Sequence, residues 1–528
     1  MRYFLPLLGM AGLLLSSSPG FGQQFLVEKI YRKPGLPVAT PALTATPNGE
    51  FVVVAAANSG GSPVWDNYTY VARLTANADT LWQRWLPQST VRYANAVTAD
   101  ARGLWVLTHE GVAAPVLRLP RVQRLTNNGQ VLHTTYPPAA AGRSEYLAAL
   151  QPALDGGSFV VGWNYDYGQV AFQHQVLLAL DSVGQTRWRR DYRGSPGDYG
   201  AAFCYTRAGT LIIAGSGNRL FQVGPPYPHI QSKLTEVEAT RGDSLRGRFY
   251  VIQPPGQGDE NLFPYTAQPW RVVALTDGGY IYSGIGDVVV SSSTGFLAKV
   301  DANLNLVWRY VYPVPAQPVN GQIYPEFYHP TELADGTLLV LARQRRSLDT
   351  RQPFWLYHFS ATGTLLTIYP FNPTRPTTGG FVRVNQLQPI AADSTWLVAG
   401  EATTATGQPD GLYVARLRVP GLRRATPTHF TPVVTATKRP VAALLGRLEV
   451  FPNPAGWQAT IRYALPTTAH QATLEVRNLL GQRVSTLPLP GVQGEVLLPV
   501  AGLPAGLYLC SVVVEGQVLA VRRISIIH

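Results

Sequence analysis

Trp270-Arg-Val-Val-Ala-Leu-Thr-Asp277-Gly278-Gly279-Tyr-Ile-Tyr-Ser-Gly284 holds two short, largely apolar runs on either side of a tight turn. After a connection, Gly295-Phe-Leu-Ala-Lys-Val-Asp301-Ala-Asn-Leu-Asn305 and Leu306-Val-Trp308-Arg-Tyr310 add a second pair around an aspartate-containing turn. Gly and Asp in the turns, with β-branched and aromatic residues in the runs, predict four antiparallel strands. The plan recurs. Pro47-Asn48-Gly49-Glu50 precedes Phe51-Val-Val-Val54, followed by Tyr70 to Leu74 and Leu81 to Trp85. Asp155-Gly156-Gly157 precedes Phe159 to Gly162, followed by Val176 to Asp181 and Thr186-Arg-Trp188. Weaker copies begin near Asn95, Gly200, Pro330 and Gln386, with turns at Arg102-Gly103, Ala208-Gly209, Asp335-Gly336 and Asp393-Ser394.

A sheet of four short strands cannot cover both of its faces alone, and roughly fifty residues are too few for a sandwich. Arranged radially, each sheet packs on the next and only short edges remain. The expectation is an all-β chain: a seven-bladed β-propeller followed by a small C-terminal β-sandwich. Its ends imply closure. The seventh copy stops after a third strand, Gly411 to Leu417, while Gln24-Phe-Leu-Val-Glu-Lys-Ile-Tyr31 precedes the first copy without a partner. The N-terminal segment is expected to supply the missing fourth strand. The Asp-Gly-Gly turn, the second turn and the following Trp resemble secreted bacterial propellers with delta-sixty-like or pyrroloquinoline-quinone-like repeats, over residues 25 to 420. That resemblance implies a fold and no activity. The pocket and calcium site of the quinone enzymes are not recognisable, so no cofactor and no metal are expected.

Met1-Arg2-Tyr3, an apolar run from Phe4 to Leu15 and the small-residue exit Ser16 to Gly22 predict a secretory signal peptide cleaved near Gly22. The run is short for a membrane span, and no later run is longer, so no transmembrane anchor is expected. The net charge is +12, from 43 basic against 31 acidic side chains, but the arginines are scattered. Nucleic-acid binding would want a patch, and that partner is not expected. The 2 cysteines, Cys204 and Cys510, lie far apart, which excludes a disulfide framework.

From Arg447 the texture changes. Leu448-Glu-Val-Phe451-Pro452-Asn453-Pro454 opens a segment that continues through Asn478-Leu479-Leu480-Gly481-Gln482 and closes on Leu503-Pro-Ala-Gly506-Leu-Tyr508 and the run from Val512 to Ile527. The alternation with Gly and Pro turns predicts a small β-sandwich. These three motifs closely resemble the type A C-terminal sorting domain of the type IX secretion system of Bacteroidetes. The resemblance implies handling by the type IX machinery, passage through the periplasm, and a secreted or outer-surface location. An adhesive or carbohydrate-binding sandwich is the blander reading of the same strands. Domains are therefore expected at 1–22 (signal peptide), 23–420 (propeller), 421–446 (Thr/Pro-rich linker) and 447–528 (sorting domain).

The tight turns join strands one to two and three to four, so the long connections after strands two and four share the opposite face. Variable loops on a rigid scaffold are where binding usually resides. Trp65, Tyr68, Trp163, Tyr165, Tyr167 and Tyr324 lie there and suit stacking on sugar or peptide; equally, such rings cap a ring and pack loops onto blades. Asp66, Asp166, Asp287, Glu326 and Asp349 share that face, and a polysaccharide hydrolase or lyase would need two of them to converge. No catalytic residue can be assigned from the sequence. The expectation is an exported propeller that binds a glycan or a protein, with the hydrolase or lyase as the alternative.

Overall fold

The computed structural model describes residues 24–32, 38–57, 67–88, 91–111, 118–137, 143–166, 173–192, 199–218, 230–252, 266–289, 292–313, 324–343, 353–374, 380–390, 393–406, 408–426, 447–465, 472–478, 482–514 and 517–527. The signal peptide expected over 1–22 lies outside them, as do most of the long connections. The chain divides into two compact units, Met1–Pro432 and Val433–His528.

The described residues of the first unit form seven four-stranded antiparallel sheets. In six of them four consecutive strands pair in order; the third, for example, is Arg143–Pro152, Ser158–Asp166, Gln173–Leu180 and Thr186–Tyr192. The second strands are apolar on both faces because both are covered, as in Phe51–Ala57 and Leu338–Arg343. One apolar cluster fills each seam between successive sheets. Val52, Val54, Leu104 and Val106 join the first to the second. Leu107, Val160 and Leu178 join the second to the third. Further clusters link the third to the fourth, fourth to fifth, fifth to sixth and sixth to seventh. Leu43, Phe51, Leu397 and Val414 join the seventh back to the first.

Both kinds of tight turn close with the same pair of backbone hydrogen bonds, as at Ala153–Gly157 and Asp181–Gln185. The fourth turn residue is left-handed, which is why Gly156 (φ 89°) and Gly184 (φ 86°) stand there. Asp155 and Asp277 accept from the amides of Gly157 and Gly279, which explains the Asp-Gly-Gly signature. One expectation needs correction: between the second and third strands of the fifth and seventh sheets the connection is short, not long.

The seventh sheet is Phe381–Ile390, Thr395–Thr403 and Pro409–Arg418, completed by Gln24–Tyr31. The N-terminal strand pairs antiparallel with the third, from Gln24↔Arg418 to Tyr31↔Leu412. Its contacts to the first sheet repeat those of ordinary fourth strands. Tyr31 Oη donates to the carbonyl of Ala78 in the next sheet's turn, as Tyr192 donates to Gly242 and Tyr250 to Leu304. Lys29 pairs with Asp79 at 2.6 Å, as Arg190 pairs with Asp243 at 3.2 Å. The segment expected to be a linker from residue 421 begins as packed chain: Leu422 and Ala425 are buried, Ala425 bridges Leu333, and the Thr426 amide donates to Glu332.

Every innermost strand carries a register shift against its neighbour, at Ala39/Ala42, Ala94/Ala96, Leu147/Ala149, Gly200/Ala202, Pro269/Arg271, Tyr328/Thr331 and Val384/Gln386. The bulges bend the inner strands around a central channel to which all seven contribute. The second unit has a three-stranded sheet (Arg447–Phe451, Gln458–Ala464, Gln493–Pro499) and a four-stranded one (Arg483–Leu489, Ala472–Asn478, Gly506–Val514, Gln517–Ile526), with one core around Ile461, Leu474, Val476 and Val512.

Candidate functional site

The ends of the second strands and the starts of the inner strands rise toward the face from which the long connections leave. Of the aromatic residues expected there, Trp65 and Tyr167 lie outside the described residues, and for Tyr165 only the backbone is described. Tyr324 is 6% exposed and packs on Tyr312 with centroids 6.1 Å apart, so it is part of the wall and is not displayed. Tyr68 is half-buried and meets Trp85 edge-on at 6.5 Å. Trp163 belongs to a tier that crosses a seam. Its ring lies 4.4 Å from that of Tyr146, which stacks 4.8 Å from His109 of the second sheet. His109 is fixed because its Nε2 accepts from the Leu147 amide at 3.0 Å. Sequence reasoning found Trp163 but missed Tyr146 and His109, since nothing local announces that the two strands face each other.

Beneath this rim lie buried carboxylates. Glu145, fully buried on an inner strand, accepts from Arg189 Nη1 at 2.8 and 3.1 Å, and Arg189 Nε reaches Asp191 at 2.9 Å. Burial pushes the Glu145 carboxyl up to about 7 against the pull of Arg189. The guanidinium, less enclosed and facing two carboxylates, is held above its usual range despite its own desolvation. The two shifts have different causes: the carboxylate loses more hydration on burial than one cation restores, whereas the two carboxylates together outweigh the desolvation of the guanidinium. Glu326, expected on a loop, sits at the head of an inner strand. It is fully buried, accepts from Tyr328 Oη at 2.7 Å and faces Arg343, whose Nη2 donates to the same hydroxyl at 2.7 Å. Glu110 is paired likewise with Arg121 at 3.2 Å. These are the cross-strand struts of a scaffold. Asp66 and Asp349 lie outside the described residues, and the side chains of Asp166 and Asp287 are not described.

The central channel is a cavity of about 200 Å³ whose wall includes Gln151, Arg271, His329, Gln386 and Gln388. Among the described residues no three His, Cys, Asp or Glu converge as a metal-ligand set. Cys204 and Cys510 are buried and unbridged, and burial pushes the Cys510 thiol up to about 12. No helix is long and apolar enough to cross a membrane.

In the second unit the motif residues build the fold. Asn453, between Pro452 and Pro454, accepts from the Ser525 amide at 2.8 Å and donates to the Arg523 carbonyl at 2.9 Å. Asn478 holds its turn by accepting from the Gln482 amide at 3.0 Å. Tyr508, two residues after Gly506, is buried and donates to Pro504 at 2.8 Å. Leu479, Leu480 and Gly481 lie outside the described residues.

Residues 449–527 match the family of secretion system C-terminal sorting domains. Three solved structures are similar to this chain over about three quarters of its length. A Dyadobacter fermentans protein of unknown function is 12% identical, over 75% of this chain and 99% of that one, with a TM-score of 0.43. The Dos1 propeller is 11% identical over 75% and 96% (0.40), and the polysaccharide lyase Uly1 is 11% identical over 72% and 89% (0.42). No curated protein matches the sequence. The second unit is a type IX sorting domain, and the first is a β-propeller body that it directs to the cell surface or beyond.

Proposed function

We propose that this chain is an exported, closed seven-bladed propeller that binds a glycan or a surface protein on its loop face. A signal peptide over residues 1–22 delivers it to the periplasm, and the type IX machinery carries it across the outer membrane by residues 447–528, with 427–446 as the linker. The closed ring is supported by the apolar cluster in each of the seven seams and by the N-terminal strand completing the last sheet.

The observation that carries the binding reading is the tier His109–Tyr146–Trp163 on one inner and two second strands at the loop end, in which the half-buried rings of Tyr146 and Trp163 are on offer and the fully buried His109 backs them. The carboxylates beneath it are already engaged by arginines, which leaves stacking and hydrogen bonding as the chemistry on offer. Glycan arrays and pull-down with the mature chain test this. Trp163→Ala is expected to weaken a captured ligand about thirtyfold, the ~2 kcal/mol of an aromatic anchor. Silence on every array and in pull-down sinks the reading.

One observation favours a hydrolase or lyase instead. A carboxyl held near neutrality, as Glu145 is, suits a proton donor. Turnover of a polysaccharide that vanishes in Glu145→Gln while the fold persists would establish that alternative.

A further inference from the structure

Five arginines in the interior of the first unit have carboxylate partners: Arg73 with Glu50, Arg121 with Glu110, Arg124 with Asp100, Arg189 with Glu145, Arg343 with Glu326. Arg271 departs from this pattern. It stands in the wall of the central channel, just after the bulge at Pro269/Arg271, and its hydrogen bond goes to the carbonyl of its own neighbour Trp270 at 2.9 Å. No carboxylate is among the described residues lining the channel. An enclosed guanidinium facing a cavity with no counter-charge among the described residues has lost hydration that one backbone carbonyl replaces only in part.

His329 stands in the same wall, on the inner strand of the following sheet. It occupies the bulge between Tyr328 and Thr331 with a left-handed backbone (φ 44°), a conformation a non-glycine residue holds at a cost. The ring is hydrogen-bonded to the Asn385 backbone, and its Nε2 is buried without a partner. Burial, together with the neighbouring charges of Arg271 and Arg343, keeps the imidazole neutral, and with the ring's proton donated to the Asn385 backbone Nε2 offers a lone pair. The channel thus presents a fixed cation and, from the adjacent strand, an unanswered acceptor. We propose that the channel binds a small oxyanion bearing its own hydroxyl, of the hydrogen phosphate or hydroxycarboxylate class. Its charged oxygen accepts from the Arg271 guanidinium and its hydroxyl donates to His329 Nε2. About 200 Å³ accommodates such an ion with ordered water. The site is independent of the loop-face reading.

The test uses the mature chain in a buffer free of small oxyanions, titrated by calorimetry with inorganic phosphate, with glycolate and with sulfate at neutral pH. Melting temperature is followed in parallel. Saturable one-site binding of phosphate or glycolate is expected, and whichever binds identifies the source of the oxyanion. Sulfate, which has no hydroxyl at that pH, should bind about tenfold more weakly, the loss of one good hydrogen bond. Arg271→Met should abolish saturable binding and the anion-dependent rise in melting temperature, Arg271→Lys should retain part of both, and His329→Gln should narrow the gap between phosphate and sulfate. The proposal is overturned if neither phosphate nor glycolate gives a saturable signal, if Arg271→Met binds as the natural chain does, or if sulfate binds as tightly as whichever of the two binds.

Discussion

Replacement of Phe25 by alanine tests how firmly the N-terminal strand closes the first unit. The ring of Phe25 meets Phe371 edge-on at 5.5 Å and Phe354 at 6.4 Å, while those two stack on each other at 5.3 Å. Full burial would make a Phe→Ala change worth 3–5 kcal/mol, roughly, but Phe25 is only partly buried, so about 2–3 kcal/mol is expected. Urea unfolding of the mature chain, followed by tryptophan fluorescence, measures the loss, with the fully buried Trp396 reporting on the seventh sheet. Leu366→Ala, at a side chain 49% exposed on the outer edge of the sixth sheet, is the control and should cost under ~0.5 kcal/mol. Hydrogen exchange should quicken at residues 412–418, whose ladder depends on the added strand. Equal stabilities for Phe25→Ala and the natural chain, with unchanged protection of 412–418, would refute the closure argument.

Two further expectations concern other links of the chain. The carboxyl of Glu145 lies near 7 in the folded state against an ordinary 4.5, so the folded form binds the extra proton. Stability should therefore fall as pH rises from about 5 to about 7, by up to ~3 kcal/mol at 1.36 kcal/mol per unit. Urea midpoints at several pH values should show a flatter dependence in Glu145→Gln, and identical dependences would refute the assignment. In the second unit, Asn453→Ala removes two hydrogen bonds to the last strand and should cost about 1–2 kcal/mol. Faster exchange at residues 523–525 checks it; unchanged exchange would mean that the Pro-Asn-Pro opening does not clamp that strand.

The sequence by itself determined the number of strand groups, their turns, the partner of the N-terminal strand and the export module. Those features are local: a left-handed turn position favours glycine, as at Gly156, and a short apolar run bounded by turns, such as Phe51 to Val54, reads as a strand with both faces covered. The tertiary structure alone decided which side chains meet. Because strands buried on both faces lose the alternation that marks an inside and an outside, nothing in the chain announced that His109 would stack on Tyr146 or that Glu145 would answer Arg189 across two intervening strands. Tyr324 and Glu326 read as loop residues, yet the inner strand begins early and draws both into the wall. Arg271 lay in plain view inside the best repeat, beside Trp270. Only the packing of the inner strands against one another brings it, with His329, to the edge of a shared cavity.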